Sequence, residues 1–245
     1  CRVEKEKLKD DLLKAFSNGK YDAKIKAELT ILPAGEAGGA GEYRIIAEYV
    51  THTTNNSVRN NNVDLACKAL NGTIVRPGEE LSFNEVIGKR TAEKGYGAAA
   101  AYYNNEVIQE IGGGVCQTSS TLFNAVARAD LEIIERSPHA WPSSYVEKGM
   151  DATVNWPGLD FKFKNAAGNS DFFFSNNTDY PIFIVAGYSN QKVTVDIYGM
   201  SIGTDMTIDL ESEATEVIPQ PSGTNYILNP ELKPGEKKNT VTGRK

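Results

Sequence analysis

The feature that most constrains this chain is the run Gly112-Gly113-Gly114-Val115-Cys116, followed at once by Gln117-Thr118-Ser119-Ser120-Thr121-Leu122. Consecutive glycines are costly inside helices and strands, so they mark a point where the backbone must turn sharply or approach another group closely. Beyond them Leu122, Ala125, Val126 and Ala129 recur at helical spacing, which predicts a helix from near Cys116 to about Ala129. A helix that starts at a cysteine presents unpaired N–H groups and the positive end of its dipole to the thiol. Cys116 is therefore expected to ionise more readily than a free cysteine and to act as a nucleophile. The backbone N–H groups around Gly113, Gly114 and Gln117 are the expected donors to an oxyanion, with Ser119 nearby on the first helical turn. The competing interpretation is a small buried cysteine beside a packing turn, with the hydroxyls acting as helix caps. A phosphate loop fits less well, because no Gly-Lys-Ser/Thr follows the glycines.

Few other residues are available for such chemistry. Three cysteines and two histidines in 245 residues are too few for a structural zinc cluster or a disulfide framework. His139 sits between Pro138 and Trp141-Pro142, which restrict its backbone and allow its ring to be aimed, so it is the expected partner of Cys116. The alternative is a loop histidine stacked on Trp141. Asp151 is the preferred group to orient the imidazole, with Arg136 and Asp160 as other charged residues in the same region. His52 lies among Thr and Asn residues and is expected at the surface. Cys67 shares the apolar face of its segment with Val63, Ala66 and Leu70 and is expected to be structural. Arg90 and Tyr96, on the glycine-punctuated connection from Gly88 to Gly97, are candidate substrate-binding side chains.

Along the chain, helical signals come early and strand signals late, which favours an α+β fold with a mostly antiparallel sheet. The cysteine then starts a helix packed on that sheet, and the histidine lies on the strand or loop that follows. Leu8, Leu12 and Phe16 predict a helix, stopped at Asn18-Gly19, and Tyr21 to Leu32 reads as a strand. The break from Pro33 through Gly41 places a boundary near residue 42, so 1–42 reads as the end of an upstream region. Residues 43–203 form the main domain: a strand over Tyr43–Tyr49, a polar loop, and a short helix from Val63 to Leu70 with Asn61 and Asn62 as possible caps. Strands are expected at Leu131–Ile134, Ala152–Asn155, Leu159–Lys164, Pro181–Tyr188 and Val193–Tyr198. Residues 204–245 read as a β-like stretch (Met206–Ile218), a linker at Pro219-Gln220-Pro221-Ser222-Gly223, and the start of a further module.

The formal charge is −6 with no long basic run, so no nucleic-acid partner is expected. No apolar stretch reaches the roughly 20 residues that span a bilayer. The chain starts at Cys1 rather than Met, so any anchor is expected upstream or as a lipid on Cys1 itself.

With these residues in view, the chain resembles the VanW family of Gram-positive cell-envelope proteins over about residues 49 to 200. The resemblance runs through Arg59, Asn62, the segment Asn71 to Asn84, Gly88-Lys89-Arg90-Thr91, Gly112 to Leu122, and Arg136-Ser137-Pro138-His139. Gly149-Met150-Asp151-Ala152-Thr153-Val154 and Asp160-Phe161-Lys162-Phe163-Lys164-Asn165 complete it. In such proteins a peptidoglycan-binding region often precedes this domain and a small glycine-containing β module often follows. Some clostridial members are regarded as L,D-transpeptidases. The resemblance thus implies peptidoglycan stem peptides as partners, an extracytoplasmic location at the cell wall, Cys116 as nucleophile and His139 as base. It assigns no third catalytic residue. Acyl transfer of this kind requires neither metal nor organic cofactor. Two rivals remain at this stage: a cysteine endopeptidase or carboxypeptidase with water as acceptor, and a non-catalytic peptidoglycan-binding module.

Overall fold

The structure is a computed structural model that describes residues 2–3, 14, 29–30, 43–103, 106–139, 141–156, 170–200, 208–214, 216, 230, 232–233 and 235–238. Two compact units are present, Cys1–Arg44 with Met200–Asp205, and Ile45–Gly199 with Met206–Lys245. In the first, β1 (Arg2–Val3) pairs antiparallel with β2 (Leu29–Thr30). All but Lys14 of the helix expected from Leu8 to Phe16, most of the strand expected from Tyr21, and Cys1 itself lie outside the described residues.

Strand β3 (Tyr43–His52) leads into the second unit and is followed by α1 (Ser57–Leu70), β4 (Thr73–Val75), β5 (Glu80–Ser82), α2 (Phe83–Ile87), β6 (Ala98–Tyr103) and β7 (Glu106–Ile111). Then come α3 (Cys116–Arg128), β8 (Glu132–Glu135), β9 (Phe173–Ser175), β10 (Ile182–Ser189) and β11 (Lys192–Met200). The strands form a four-stranded sheet ordered β3-β11-β10-β4, a three-stranded sheet ordered β5-β9-β8, and the β6–β7 hairpin. Strand β10 runs antiparallel to β11 and β4, and β9 runs antiparallel to β5 and β8. The architecture is α+β.

The large sheet shows why its strands form. In β10 Ile182, Ile184 and Ala186 turn inward, while Phe183 and Val185 are exposed, the period-two pattern of a sheet with one buried face. Val193, Val195 and Ile197 of β11 continue that face, and Val63, Ala66, Cys67 and Leu70 of α1 join the same core. Behind the small sheet, Phe172 packs edge-to-face on Phe123 of α3 at 5.8 Å and stacks on Phe174 at 5.9 Å.

Four local features depart from the pattern expected of the sequence. Helix α1 starts at Ser57, capped by the Asn56 side chain, which accepts from the Arg59 N–H at 3.0 Å; Asn61 and Asn62 lie inside it. Asn62 is fully buried because its side chain bonds three backbone groups. Its amide donates to the carbonyls of Gly97 and Gly113 at 2.9 and 3.0 Å, and its oxygen accepts from the Gly97 N–H at 2.8 Å. Polar residues thus occupy a helix face that apolar periodicity does not reveal. The β6–β7 hairpin, whose alanine-rich first strand carries little strand signal, delivers the chain into the glycine run. Residues 152–155 form no strand, and 208–214 and 216 form none either. The strand expected over Leu159–Lys164 lies outside the described residues.

The glycine run is explained by protein rather than by ligand. An ideal Cβ on Gly113 would lie 2.3 Å from the Ala99 carbonyl oxygen on β6. Gly114, at φ +104°, would place a Cβ 2.6 Å from the Arg59 side chain. The Ala99 carbonyl belongs to a paired strand and cannot swing aside. Gly113→Ala is therefore expected to destabilise the fold by about 1–3 kcal/mol, lowering Tm by about 2–4 °C per kcal/mol in a chain of this size. Gly187→Ala, where nothing lies within 4 Å of the new Cβ, serves as the control and should change stability by no more than about 0.5 kcal/mol. Thermal melting of the two variants checks both expectations.

Candidate active site

Cys116 opens α3 after Val115, which adopts helical dihedrals and supplies no side-chain cap. Four N–H groups from Gly112 to Gln117 find backbone acceptors: Gly112 donates to Gly97 O at 3.1 Å, Gly113 to Glu110 O at 3.0 Å, Val115 to Gly112 O at 3.2 Å, and Gln117 to Gly114 O at 2.9 Å. The N–H groups of Gly114 and Cys116 take no acceptor among the described residues. Cys116 Sγ is half-buried; as a thiol it donates to the Val154 carbonyl at 3.4 Å, and its charged form is favoured by the His139 ring.

His139 lies on the loop after β8, and its ring Nδ1 and backbone N–H both bond Asp151 Oδ2, the backbone contact at 2.6 Å. Ser143 Oγ lies 3.3 Å from the same ring nitrogen. Donation to a carboxylate holds the proton on Nδ1, so Nε2 is the nitrogen left to take a proton from the thiol. Arg136 secures the carboxylate from the other side. Its Nε donates to the Asp151 carbonyl at 2.6 Å, its Nη2 sits 3.5 Å from Asp151 Oδ1, and its guanidinium covers the Phe123 ring at 4.9 Å.

Burial alone would push the Cys116 thiol up, but the hydrogen bond and positive charge of His139 outweigh it, with Arg90 adding, and the thiol is lowered. Burial would likewise lower His139; hydrogen bonds to Asp151 and Cys116 instead raise it to about 10. Asp151 is held below the usual carboxylate range, because the His139 ring and backbone N–H overcome the effect of burial. The three shifts favour one charge state, thiolate beside imidazolium beside carboxylate. Cys67 behaves in the opposite way. It is 1% exposed, it contacts Thr118 Oγ1 at 3.9 Å, and burial pushes it up to about 12.

The segment that carries Asp151 is positioned by α3. Residues Gln117 to Val126 are all buried, although six of them are polar (Gln117, Thr118, Ser119, Ser120, Thr121, Asn124), so the helix is engulfed rather than laid on a sheet. Such a helix is tenable only if its polar groups are partnered. Ser119 Oγ donates to Ala152 O at 2.6 Å, Ser120 Oγ accepts from the Ala152 N–H at 2.9 Å, and Asn124 donates to Met150 O at 2.7 Å. These bonds bracket Asp151 and replace the ladder a strand would have supplied. Burial, with the charge of Cys116 adding to it, pushes the Tyr145 phenol up.

The structure therefore brings Cys116, His139 and Asp151 together. Ser119 is committed to the Asp151 segment. Gln117 is buried, with its side-chain amide donating to Thr51 Oγ1 at 3.0 Å, and offers neither side chain nor N–H to the thiol. Tyr96 sits in the hydrophobic core. Arg90 is buried and its charge acts on Cys116. His52 ends β3 and is exposed. Spacing does not single out Asn124 and Tyr145, and the sequence marks Asn62 and Ser120 only as a possible cap and a hydroxyl on the first helical turn. The signal for two of them is the i, i+4 pair Ser120/Asn124, polar positions on a helix otherwise marked for burial.

A family profile described as VanW like protein matches residues 58–170, a span that contains Cys116, His139 and Asp151. Over 121 residues the chain is 46% identical to YoaR, an uncharacterised protein of Bacillus subtilis, in a match covering 49% of this chain and 40% of that protein. Over 109 residues it is 35% identical to the vancomycin B-type resistance protein VanW of Enterococcus faecalis, covering 42% of this chain and 40% of that protein. The chain thus spans well under two thirds of the length of these curated relatives. No solved structure matches it.

The charge state of the site is open to a direct measurement. With iodoacetamide, Cys116 is expected to alkylate well below the roughly 8.5 at which a free thiol ionises, and Cys67 only on unfolding. Labelling should fade as pH falls through the lowered thiol pKa, because the thiolate is the reacting form. Asp151→Asn weakens the charge on His139, so it should move the labelling profile to higher pH. Peptide mapping of the alkylated cysteines reads both effects.

Proposed function

Residues 58–170 place this chain in the VanW family, and from that premise we propose that it is a cysteine acyltransferase acting on peptidoglycan stem peptides, an L,D-transpeptidase that joins two diaminopimelate residues. The observation that carries this reading is the His139 ring, held by the Asp151 carboxylate and lowering the Cys116 thiol, at a helix start without a side-chain cap.

The thiolate attacks the carbonyl carbon at the L-centre of diaminopimelate in a donor tetrapeptide, forming the C–S bond and moving the carbonyl electron pair onto oxygen. The N–H groups of Gly114 and Cys116, which take no acceptor among the described residues, suit that oxyanion; losing one such donor typically costs about 3 kcal/mol of barrier. Collapse breaks the C–N bond to D-alanine, and His139 gives its Nε2 proton to the departing amine. A side-chain amine of diaminopimelate on a neighbouring stem attacks the thioester and yields its proton to His139. The new amide forms as the thiolate leaves. The bond broken in the donor supplies the free energy for the bond made, so the reaction can run outside the cytoplasm, at the cell wall of a Gram-positive bacterium, without ATP. A relative named for vancomycin resistance supports that setting.

Intact-mass analysis with a defined donor tetrapeptide tests the proposal. The expected adduct has the mass of the donor less D-alanine and maps to the Cys116 peptide. Cys116→Ala should abolish it with folding intact, and His139→Ala should slow its formation by about 10²–10⁴-fold. With an acceptor stem present, a cross-linked dimer is expected. Release of tripeptide alone would instead make the protein a carboxypeptidase, and binding without any adduct would make it a wall-binding module.

A further inference from the structure

Arg90 is the one arginine of the described residues whose terminal nitrogens, Nη1 and Nη2, are both buried without a hydrogen-bond partner. The side chain is 6% exposed. Its Cζ lies over the rings of Phe83 and Trp156, at 5.9 Å from each. Ring contacts of this kind interact with the charge, but they provide no acceptor for the in-plane N–H groups. The acidic groups within electrostatic reach are engaged or unsuited. Asp171 uses Oδ2 for Ser82 Oγ at 2.6 Å and Oδ1 for the N–H groups of Asn84 and Phe172 at 3.0 and 2.7 Å. Glu110 feels Arg90 but makes no hydrogen bond to it, and burial favours its neutral form. A buried guanidinium left without acceptors is an expensive arrangement for a fold to hold.

The location gives that arrangement a use. The stem of Arg90 packs against the glycine run, where a Cβ on Gly112 would lie 2.9 Å from Arg90 Cβ, and its charge acts on the Cys116 thiol. Arg90 Nη1 and Nη2 make no hydrogen bond to the thiol, so the fork remains for another anion. A planar fork of donors matches a carboxylate in bidentate geometry.

We propose that Arg90 is a carboxylate anchor, whose buried fork binds a free carboxylate of the donor peptide next to the Cys116 thiol and so selects donors that carry one. This deepens the acyltransferase reading and rests on it for the identity of the donor. The anchor itself does not depend on turnover. A stem-peptide donor offers two such groups close to the attacked bond, the terminal carboxylate of the leaving D-alanine and the carboxylate at the D-centre of diaminopimelate.

The first test needs no catalysis. Iodoacetate and iodoacetamide react with the same thiolate, so the ratio of their rates at Cys116 cancels any change in thiol ionisation and reports the pull on the anionic reagent. Arg90→Gln is expected to lower the iodoacetate-to-iodoacetamide ratio by about tenfold, and Arg90→Lys, which keeps the charge but loses the fork, by less. Thermal melting and continued protection of Cys67 establish that the variants fold. If the Gln variant does not fold, the Lys variant decides. A ratio unchanged from the wild type in the folded variant overturns the proposal.

The second test uses the donor tetrapeptide and two analogues, amidated either at D-alanine or at the D-centre of diaminopimelate. The analogue whose adduct forms as slowly as that of the acid donor with Arg90→Gln identifies the bound carboxylate. Equal rates for the acid and both amides overturn the anchor. Absence of any adduct in the wild type, with an alkylation ratio that still depends on Arg90, overturns the acyltransferase reading and leaves the anchor standing.

Discussion

Burying a polar helix is the constraint from which the rest of this site follows. Helix α3 has no solvent face over Gln117–Val126, yet it carries hydroxyls and amides that would be costly to leave unpaired. Ser119, Ser120 and Asn124 find partners in the main-chain groups of Met150 and Ala152, and the two residues bracket Asp151, while Gln117 Oε1 is buried without a hydrogen-bond partner among the described residues. The same hydrogen bonds that make the helix tolerable in the core therefore set the position of the carboxylate. At the far side of α3, Gln117 and Thr121 both reach Thr51 Oγ1, at 3.0 and 2.8 Å, which ties the helix to β3.

Electrostatics then builds on that scaffold. Burial opposes the charged form of Cys116, His139 and Asp151 alike. Together they change that balance: the imidazolium, hydrogen-bonded to Asp151, favours both anions and is favoured by them. Arg136 adds a cation behind Asp151 and bonds the Asp151 and Gly149 carbonyls, so the carboxylate is fixed as well as charged. The contrast with Cys67 is instructive: the same side chain, on the neighbouring α1, meets the Thr118 hydroxyl and the charge of Asp64 rather than a cation, and burial pushes it the other way.

Much of this was legible before any coordinates. The glycine–cysteine–helix junction, the end of α3, the strands β8, β10 and β11, and the structural role of Cys67 all follow from apolar period and turn chemistry, which are local. Three elements were not legible, each for a physical reason. The N-terminal half of α1 is rich in asparagine, and Asn62 is buried for its bonds to Gly97 and Gly113, which are distant in sequence. The β6–β7 hairpin draws its stability from pairing, Ala98 opposite Ile111 through Tyr103 opposite Glu106, and its alanines carry little intrinsic preference. Residues 152–155 have strand-like composition but bond to side chains of α3 and to Ser137 and Ser170 instead of a ladder.

For the site, the sequence by itself determined which atoms were available: few cysteines and histidines, one cysteine at a helix start, one histidine between prolines, and an aspartate downstream. These are matters of residue type and local spacing, and local physics is enough to find them. Only the tertiary structure decided that the three meet, that the N–H groups of Gly113 and Gln117 are already taken, and that Ser119 faces the Asp151 segment. It also decided that Arg90 is buried with an unfilled fork of donors. Hydrogen-bond partners from different segments are settled by which surfaces the packed core brings together, and no single stretch of chain encodes that.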